Sequence, residues 1–329
     1  MKAIGYSAFG AASNVLSVLD IPTPTPAEGE VLVRVTYSGV NPSDVKARSG
    51  SRPGVTKPAF PVIVPHSDGA GVIEAVGAGV DPSRVGNRVW IWNGQWQRAF
   101  GTCAEYIALP SVQAVNLPDN VSEQIGAVLG IPALTAVHTV LGAGPVAGKT
   151  VLVSGGAGMV GHLAVQIAKA SGARVIATAS AAKAELVIAS GADSVLDYRA
   201  EDLTVQILAA NDGELIDHAV EVEFGQNADM LADVMAPNSR IASYGSAQAM
   251  RPEIPFYPMM FKAITLEMAL IYILTDAQRQ LAIANLTSLL QQGAISPRID
   301  PAYAFDDVAK AHEAVEGNTR DGAVLVKTG

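Results

Sequence analysis

The run Val151-Leu-Val-Ser-Gly-Gly156-Ala-Gly158-Met-Val-Gly161 constrains this chain more than any other stretch. It is a G-x-G-x-x-G pattern set between a short apolar run and a segment, 159–171, with the apolar spacing of a helix. The spacing assigns Gly156 to a tight turn, Gly158 to close approach of the backbone to a pyrophosphate, and Gly161 to close packing of helix on strand. The first helical turn, Met159, Val160 and Gly161, then offers unpaired N–H groups and the positive end of the helix dipole. Glycines alone also describe an ordinary tight turn. A strand before them, a helix after them and a second strand at 174–178 point to a dinucleotide site.

The rest of the chain agrees with that reading. Short β-branched runs at 150–154, 174–178, 194–197, 216–222, 240–244 and 265–271 alternate with helical segments such as 183–190, which predicts βαβ units and a doubly wound parallel sheet. The first third is β-rich instead. Val31, Val33, Val35 and Tyr37 alternate with Leu32, Arg34 and Thr36, and further strands are expected at 71–76 and 88–92, punctuated by glycine and proline as in a partly open barrel. A helix is expected at 277–292, and a last strand at 323–327 that returns to the first domain. The 329 residues suit two domains at roughly 150 residues each.

Composition narrows the function classes. Apolar residues make up 49% of the chain, enough for a sizeable core, and 22 basic against 31 acidic residues leave a formal charge of −9. That balance argues against binding nucleic acid or anionic lipid. Cys103 is the only cysteine, which rules out an intramolecular disulfide and a cysteine-based zinc cluster. The longest apolar stretch, 125–144, contains Pro132 and His138 and reads as a buried helix rather than a membrane span. The N-terminus shows no signal-peptide pattern, and a cytoplasmic protein is expected.

The end of the second strand selects the dinucleotide. An NAD site commonly carries an acid there for the ribose hydroxyls. Here the run is Ala177-Thr-Ala-Ser180-Ala-Ala-Lys183, with no acid. Ser180 can donate a hydrogen bond and Lys183 can face a 2′-phosphate, with Tyr198 and Arg199 contributing from the next loop. The bland alternative for Lys183 is a solvated lysine. NADPH is therefore expected in preference to NADH.

Taken together, Gly29-Glu-Val-Leu-Val-Arg-Val, Gly39-Val-Asn41-Pro-Ser-Asp44, Asp68-Gly-Ala-Gly71-Val, Ala104-Glu-Tyr106, Leu134-Thr135-Ala136, the glycine loop and Asp197-Tyr198-Arg199 resemble the medium-chain dehydrogenase/reductase superfamily, in particular its zinc-free, zeta-crystallin-like quinone oxidoreductase branch. The resemblance spans nearly the whole chain. It implies a GroES-like catalytic domain over 1–124 and 275–329, and a Rossmann NADPH-binding domain over 125–274. It places Asn41 and Thr135 at the nicotinamide as orienting groups, and brings Val222, Tyr244 and Gly245 close to the cofactor. Zinc-dependent relatives carry cysteine where this chain has Asn41 and histidine where it has Ser67, so no metal is expected. His66 is offset by one residue. The tyrosines that often follow the Asn motif are replaced by Lys46 and Arg52, so no proton-donor role transfers from them.

Without a Lewis acid, hydride transfer suits an acceptor that is already electrophilic, a quinone or an α,β-unsaturated carbonyl. An enoyl- or acryloyl-thioester reductase and a non-catalytic, crystallin-like NADPH-binding protein are the alternatives. The residues between 90 and 96, which hold all three tryptophans, can wall an aromatic acceptor or fill the barrel core. Asn41 has a second reading as a turn cap, and Asp44 can relay a proton or, as the preferred reading, cap a helix. Cys103 and His162 read as packing residues. The apolar run at 265–271 would be an exposed sheet edge, and pairing of two copies across it predicts a homodimer.

Overall fold

The computed structural model describes residues 1–52, 54–317 and 319–329. Its contacts divide the chain into two units, Met1–Ile131 with Pro297–Gly329, and Pro132–Ser296.

The first unit holds seven strands of the N-terminal region: β1 (Lys2–Gly5), β2 (Ser17–Asp20), β3 (Glu30–Val40), β4 (Asp68–Val76), β5 (Arg88–Ile91), β6 (Tyr106–Pro110) and β7 (Ala114–Asn116). β3 organises them. One edge pairs along its length with β4, and the N-terminal half of the other edge pairs with β6. Register shifts at Leu32/Val33 and Val35/Tyr37 let so long a strand bend. Val31, Val33 and Val35 meet Ile73, Val89, Ile91, Ile107 and Leu109 in a dry barrel core. Burial of each such side chain contributes about 1.5–3 kcal/mol before chain entropy is counted.

The second unit is a six-stranded parallel sheet. Its strands are β8 (Thr150–Val153), β9 (Arg174–Ala179), β10 (Ser194–Asp197), β11 (Ile216–Glu221), β12 (Met235–Ser243) and β13 (Thr265–Met268), in spatial order β10-β9-β8-β11-β12-β13. In sequence rank this order is 3-2-1-4-5-6, the doubly wound dinucleotide fold. Val151, Leu152 and Val153 are all buried, as a strand with a parallel neighbour on each side and covered faces requires. The final strand, β14 (Val324–Lys327), returns to the first unit and pairs antiparallel with Tyr37–Val40 of β3.

The contact boundaries differ from the sequence boundaries at 124/125 and 274/275. The helix Glu123–Gly126 packs on β4 and β5 and stays with the first unit. The helix Asp276–Gln291 packs on Leu134–Leu141 and so belongs to the second. Neither allegiance is encoded in local periodicity. The apolar stretch 125–144 ends in the buried helix Leu134–Leu141, entered through a π turn at Leu129–Ala133 that contains Pro132. No helix among the described residues is long and apolar enough to cross a membrane.

Candidate active site

In the second unit the glycine motif joins β8 to the helix Met159–Ala170. The positive φ of the turn, +69°, belongs to Gly155 and not to Gly156, where the motif spacing placed it. Gly156 is needed for another reason: a Cβ there would lie 2.9 Å from Val187 and 3.1 Å from Ala177. The chain turns one residue earlier because Gly155 N–H is held by Thr178 Oγ1 and Gly156 N–H by Thr178 O, at the neighbouring strand. Gly158 caps the helix and is exposed. At Gly161 a Cβ would stand 2.2 Å from Gly155 O, so only glycine lets the helix begin this close to the turn. The N–H groups of Met159, Val160 and Gly161 lie in a first turn that supplies no carbonyl partners. This cradle fits a pyrophosphate.

Val222 follows β11 and packs over Gly155, whose added Cβ would meet it at 2.9 Å. A Cβ on Gly245 would meet Val222 O at 2.3 Å, and Tyr244 N–H donates to Glu221 O at 3.0 Å. The ends of β8, β11 and β12 thus bring Gly155, Val222, Tyr244 and Gly245 together. Burial and the neighbouring Glu221 push the Tyr244 hydroxyl up, so it remains protonated. Glu221 itself escaped the sequence reading. It is fully buried, accepts from Asn227 Nδ2 at 2.9 Å and from Glu223 N at 2.5 Å, and burial raises its pKa. Its only sequence signal was an acid at the end of an apolar strand.

At the other side of the cradle, Asp197 of β10 is in register with Ala179 of β9. Ser180 and Tyr198 therefore leave adjacent strand ends, and Tyr198 N–H donates to Ala179 O at 3.3 Å. Arg199 lies over the Tyr198 ring at 4.9 Å. Lys183 closes a 3-10 turn, Ala181–Lys183, capped by Ser180. Asp197 is turned onto its own loop, where it accepts from Arg199 N at 3.0 Å. Lys183 and Arg199 thus supply two cations around the ends of β9 and β10, and β9 ends without an acid.

Thr135 also lies in the second unit, buried in the first turn of Leu134–Leu141, and its carbonyl accepts from Thr139 Oγ1. His162 in the glycine-loop helix is held by Ser190 Oγ at 2.8 Å and lies 3.1 Å from Ser296 O, a structural position. A cavity of about 750 Å³ lies toward the opposite end of the sheet, where Lys149, Asp217 and Thr265 stand at the strand beginnings.

Asn41 belongs to the first unit. It is buried and caps the helix Pro42–Ser49, with Asp44 completing a capping box. Asn41 N–H donates to Asp44 Oδ2 at 2.8 Å, and Asn41 Nδ2 donates to Asp68 Oδ2 at 2.9 Å. Burial pushes Asp44 up to about 7 and holds Asp68 well above the usual carboxylate range.

His66, with φ +75°, takes partners other than those of Asn41. Its Nδ1 lies 2.8 Å from Ser38 Oγ and its Nε2 lies 2.9 Å from His312 Nε2. The proton order follows from the far end. Thr102 Oγ1 donates to Asp68 O, so Ser38 donates to Thr102 and His66 Nδ1–H donates to Ser38. His66 Nε2 is then the acceptor, and His312 donates. Burial lowers the pKa of both rings, so the pair stays neutral. Both ring nitrogens of His66 are thus engaged within the protein. Asn41 and Ser67 in the zinc-ligand positions do not fit a catalytic zinc, and among the described residues no three His, Cys, Asp or Glu side chains are grouped to hold a metal. Cys103 is buried and its thiol is pushed up by burial. Of the tryptophans, Trp90 lies in the core, whereas Trp96 lines a cavity.

Residues 27–119 match the alcohol dehydrogenase GroES-like domain family, and residues 159–288 match the family described as zinc-binding dehydrogenase. The chain is 32% identical to the quinone oxidoreductase of Lama guanicoe over 316 residues, covering 95% of this chain and 93% of that one. Among solved structures it resembles a mycobacterial quinone oxidoreductase, at 28% identity and TM-score 0.86 over 99% of both chains. A mycobacterial protein solved with NADPH gives TM-score 0.85 at 28% identity, over 99% of this chain and 100% of that one.

Proposed function

Because this chain belongs to the quinone oxidoreductase branch of the medium-chain dehydrogenase/reductase superfamily, we propose that it uses NADPH to reduce quinones or α,β-unsaturated carbonyls without a metal. The observation that carries this reading is the glycine cradle beside a strand edge that ends in Ser180 and Lys183 rather than an acid. The NADPH complex of a structural neighbour supports the cofactor assignment. Bound NADPH supplies the hydride, which is chemistry no side chain of this protein can supply.

The chain's own residues bind and orient. The N–H groups of Met159, Val160 and Gly161 hold the pyrophosphate. Ser180, Lys183 and Tyr198 face the 2′-phosphate. Val222, Tyr244 and Gly245 border the nicotinamide side in the second unit, where Thr135 is a neutral orienting group; Asn41, in the first unit, is a neutral amide suited to the same kind of role. Neutral donors suit the carbonyl oxygen of an already electrophilic acceptor, where negative charge grows as hydride arrives, and do not deprotonate an alcohol. Asn41 and Ser67 in the zinc positions support metal-free chemistry.

A homodimer completes this reading. Among the described residues β13 ends the sheet with one edge unpaired, and beside it in sequence the helix Phe256–Phe261 exposes Phe256, Tyr257, Met260 and Phe261. An apolar, open sheet edge favours pairing with a second copy about a two-fold axis.

The test is steady-state NADPH oxidation against a panel of quinones, enones, enoyl thioesters and simple alcohols. Turnover with quinones or enones, and none with alcohols, is expected. Faster oxidation of ethanol or propanol than reduction of any quinone or enone overturns the proposal.

A further inference from the structure

The segment that follows β12 has no regular structure of its own: residues 244–255, up to the helix Phe256–Phe261, form neither helix nor strand. Backbone N–H groups outside a ladder need other partners. Two successive ones find theirs on a single side chain. Glu223, the residue before the helix Phe224–Val234, accepts from Ala247 N on Oε2 and from Gln248 N on Oε1, both at 2.9 Å. Both carboxylate oxygens are thus engaged by the facing loop. Hydrogen bonds to an ionised acceptor are roughly twice as strong as neutral ones.

Glu223 is itself anchored to the sheet. Its N–H donates to Oε1 of the fully buried Glu221, which also accepts from Asn227 Nδ2 at 2.9 Å. Asn227 Nδ2 in turn reaches Ser154 Oγ at 3.2 Å, one residue past the end of β8. The tie therefore runs from the sheet through two glutamates to the outer loop. The loops after β11 and β12 also lie close together. A Cβ on Gly225 would stand 2.5 Å from Ala249 Cβ and 2.7 Å from Ala249 O. Phe224 N–H donates to Gly245 O, and Gly225 N–H donates to Ser246 Oγ, both at 3.0 Å. Substituting Glu223 removes the charged tie and leaves these neutral ones in place.

We propose that Glu223 is a positioning residue for the cofactor, its carboxylate fixing the loop that starts at Tyr244 so that Val222, Tyr244 and Gly245 present one surface to the nicotinamide half of NADPH. The proposal rests on the NADPH reading above. Glu223 acts through the loop and not on the cofactor. A loop already in its binding arrangement needs no ordering when the cofactor arrives. If the freed loop holds that arrangement for about one-tenth of the time, the apparent Kd rises about tenfold. The effect is confined to one half of the cofactor. The 2′-phosphate is assigned to Ser180 and Lys183 after β9, and β8 and β11 separate β9 from β12 in the sheet.

Glu223→Gln keeps the size of the side chain and turns one of its two acceptors into an NH2 donor. NADPH, titrated by fluorescence, should bind it about tenfold more weakly. Adenosine 2′,5′-bisphosphate, which carries the adenine half and the 2′-phosphate but no nicotinamide, should keep its wild-type Kd by calorimetry. Glu223→Ala, which loses both acceptors, should weaken NADPH further, by roughly 10- to 100-fold. A general loss of structure weakens both ligands together, whereas a loss confined to NADPH marks positioning at the nicotinamide end. Unchanged NADPH affinity in Glu223→Gln, or equal losses for the two ligands, overturns the assignment. Should Glu223→Gln fail to fold, Glu223→Asp, which keeps the charge and shortens the reach, carries the same comparison with the same outcomes. A wild type that binds NADPH but reduces no quinone or enone overturns the proposed function and leaves the role of Glu223 standing. A wild type that does not bind NADPH overturns both.

Discussion

Asn41 and Asp68 are joined by a buried hydrogen bond from Nδ2 to Oδ2, 2.9 Å long, that ties the start of the helix Pro42–Ser49 to the first residue of β4. The same asparagine caps that helix. It therefore holds a structural position as well as the ligand-facing one proposed for it, and the two are separable by substitution. Asn41→Ser keeps a capping oxygen and loses the amide donor, whereas Asn41→Ala loses both. Thermal melting should rank wild type above Asn41→Ser above Asn41→Ala, with about 0.5–2 kcal/mol between the last two for the cap. Turnover should fall on the order of a hundred-fold in both variants. If turnover instead tracks melting, Asn41 is a cap only.

The glycine cradle makes a graded prediction. Gly161→Ala places a methyl group 2.2 Å from Gly155 O and should destabilise the cofactor-free protein by about 1–3 kcal/mol. Gly158→Ala meets nothing closer than 3.4 Å, so it should melt near wild type while weakening NADPH. Denaturant titration with and without NADPH distinguishes the two.

Lys183→Ala should weaken NADPH by roughly 10- to 100-fold, the worth of a charge-assisted hydrogen bond. NADH has no 2′-phosphate and should lose little. Equal losses for both cofactors, measured by fluorescence titration, remove Lys183 from the phosphate site.

Two buried groups give opposite pH trends. Asp44 is raised from 3.8 to about 7, so the folded state binds the extra proton, and its contribution to stability falls as pH rises from about 4 to about 7. His312 is lowered from 6.5 to about 3, so the unfolded state binds the extra proton, and stability falls as pH drops below about 6.5 toward 3. Asp44→Asn should flatten the first slope and His312→Gln the second, relative to wild type. Melting curves across pH 3 to 8 that stay parallel for all three proteins count against both assignments.

Phe261 is 81% exposed and Met268 of β13 is 71% exposed. A charge in the apolar patch should oppose self-association, so Phe261→Glu is expected to shift a wild-type dimer toward monomer by light scattering at micromolar concentration. A wild type that is already monomeric there ends the dimer proposal.

What the sequence by itself determined is whatever depends on near neighbours along the chain. The glycine spacing, the buried β-branched strands and the helices between them are local patterns, set by backbone geometry and by which faces avoid water. They located all six strands of the second unit, although they ended the sixth at 271 where the structure ends it at Met268. They also placed the return of the last strand to the first unit. The tertiary structure decided everything that depends on what lies opposite. Motif spacing put the turn on Gly156, but Thr178 on the adjacent strand holds the loop so that Gly155 takes the positive φ. The helix Asp276–Gln291 was visible as a helix, yet its unit was settled by packing on Leu134–Leu141. His66 and His312 lie 246 residues apart and share one hydrogen bond. Tyr6, Phe60 and Trp96 meet around one cavity with no spacing to announce it. Periodicity records which side of an element is buried; it carries no record of which distant residue completes the burial, because that choice is made by the close packing of the whole chain.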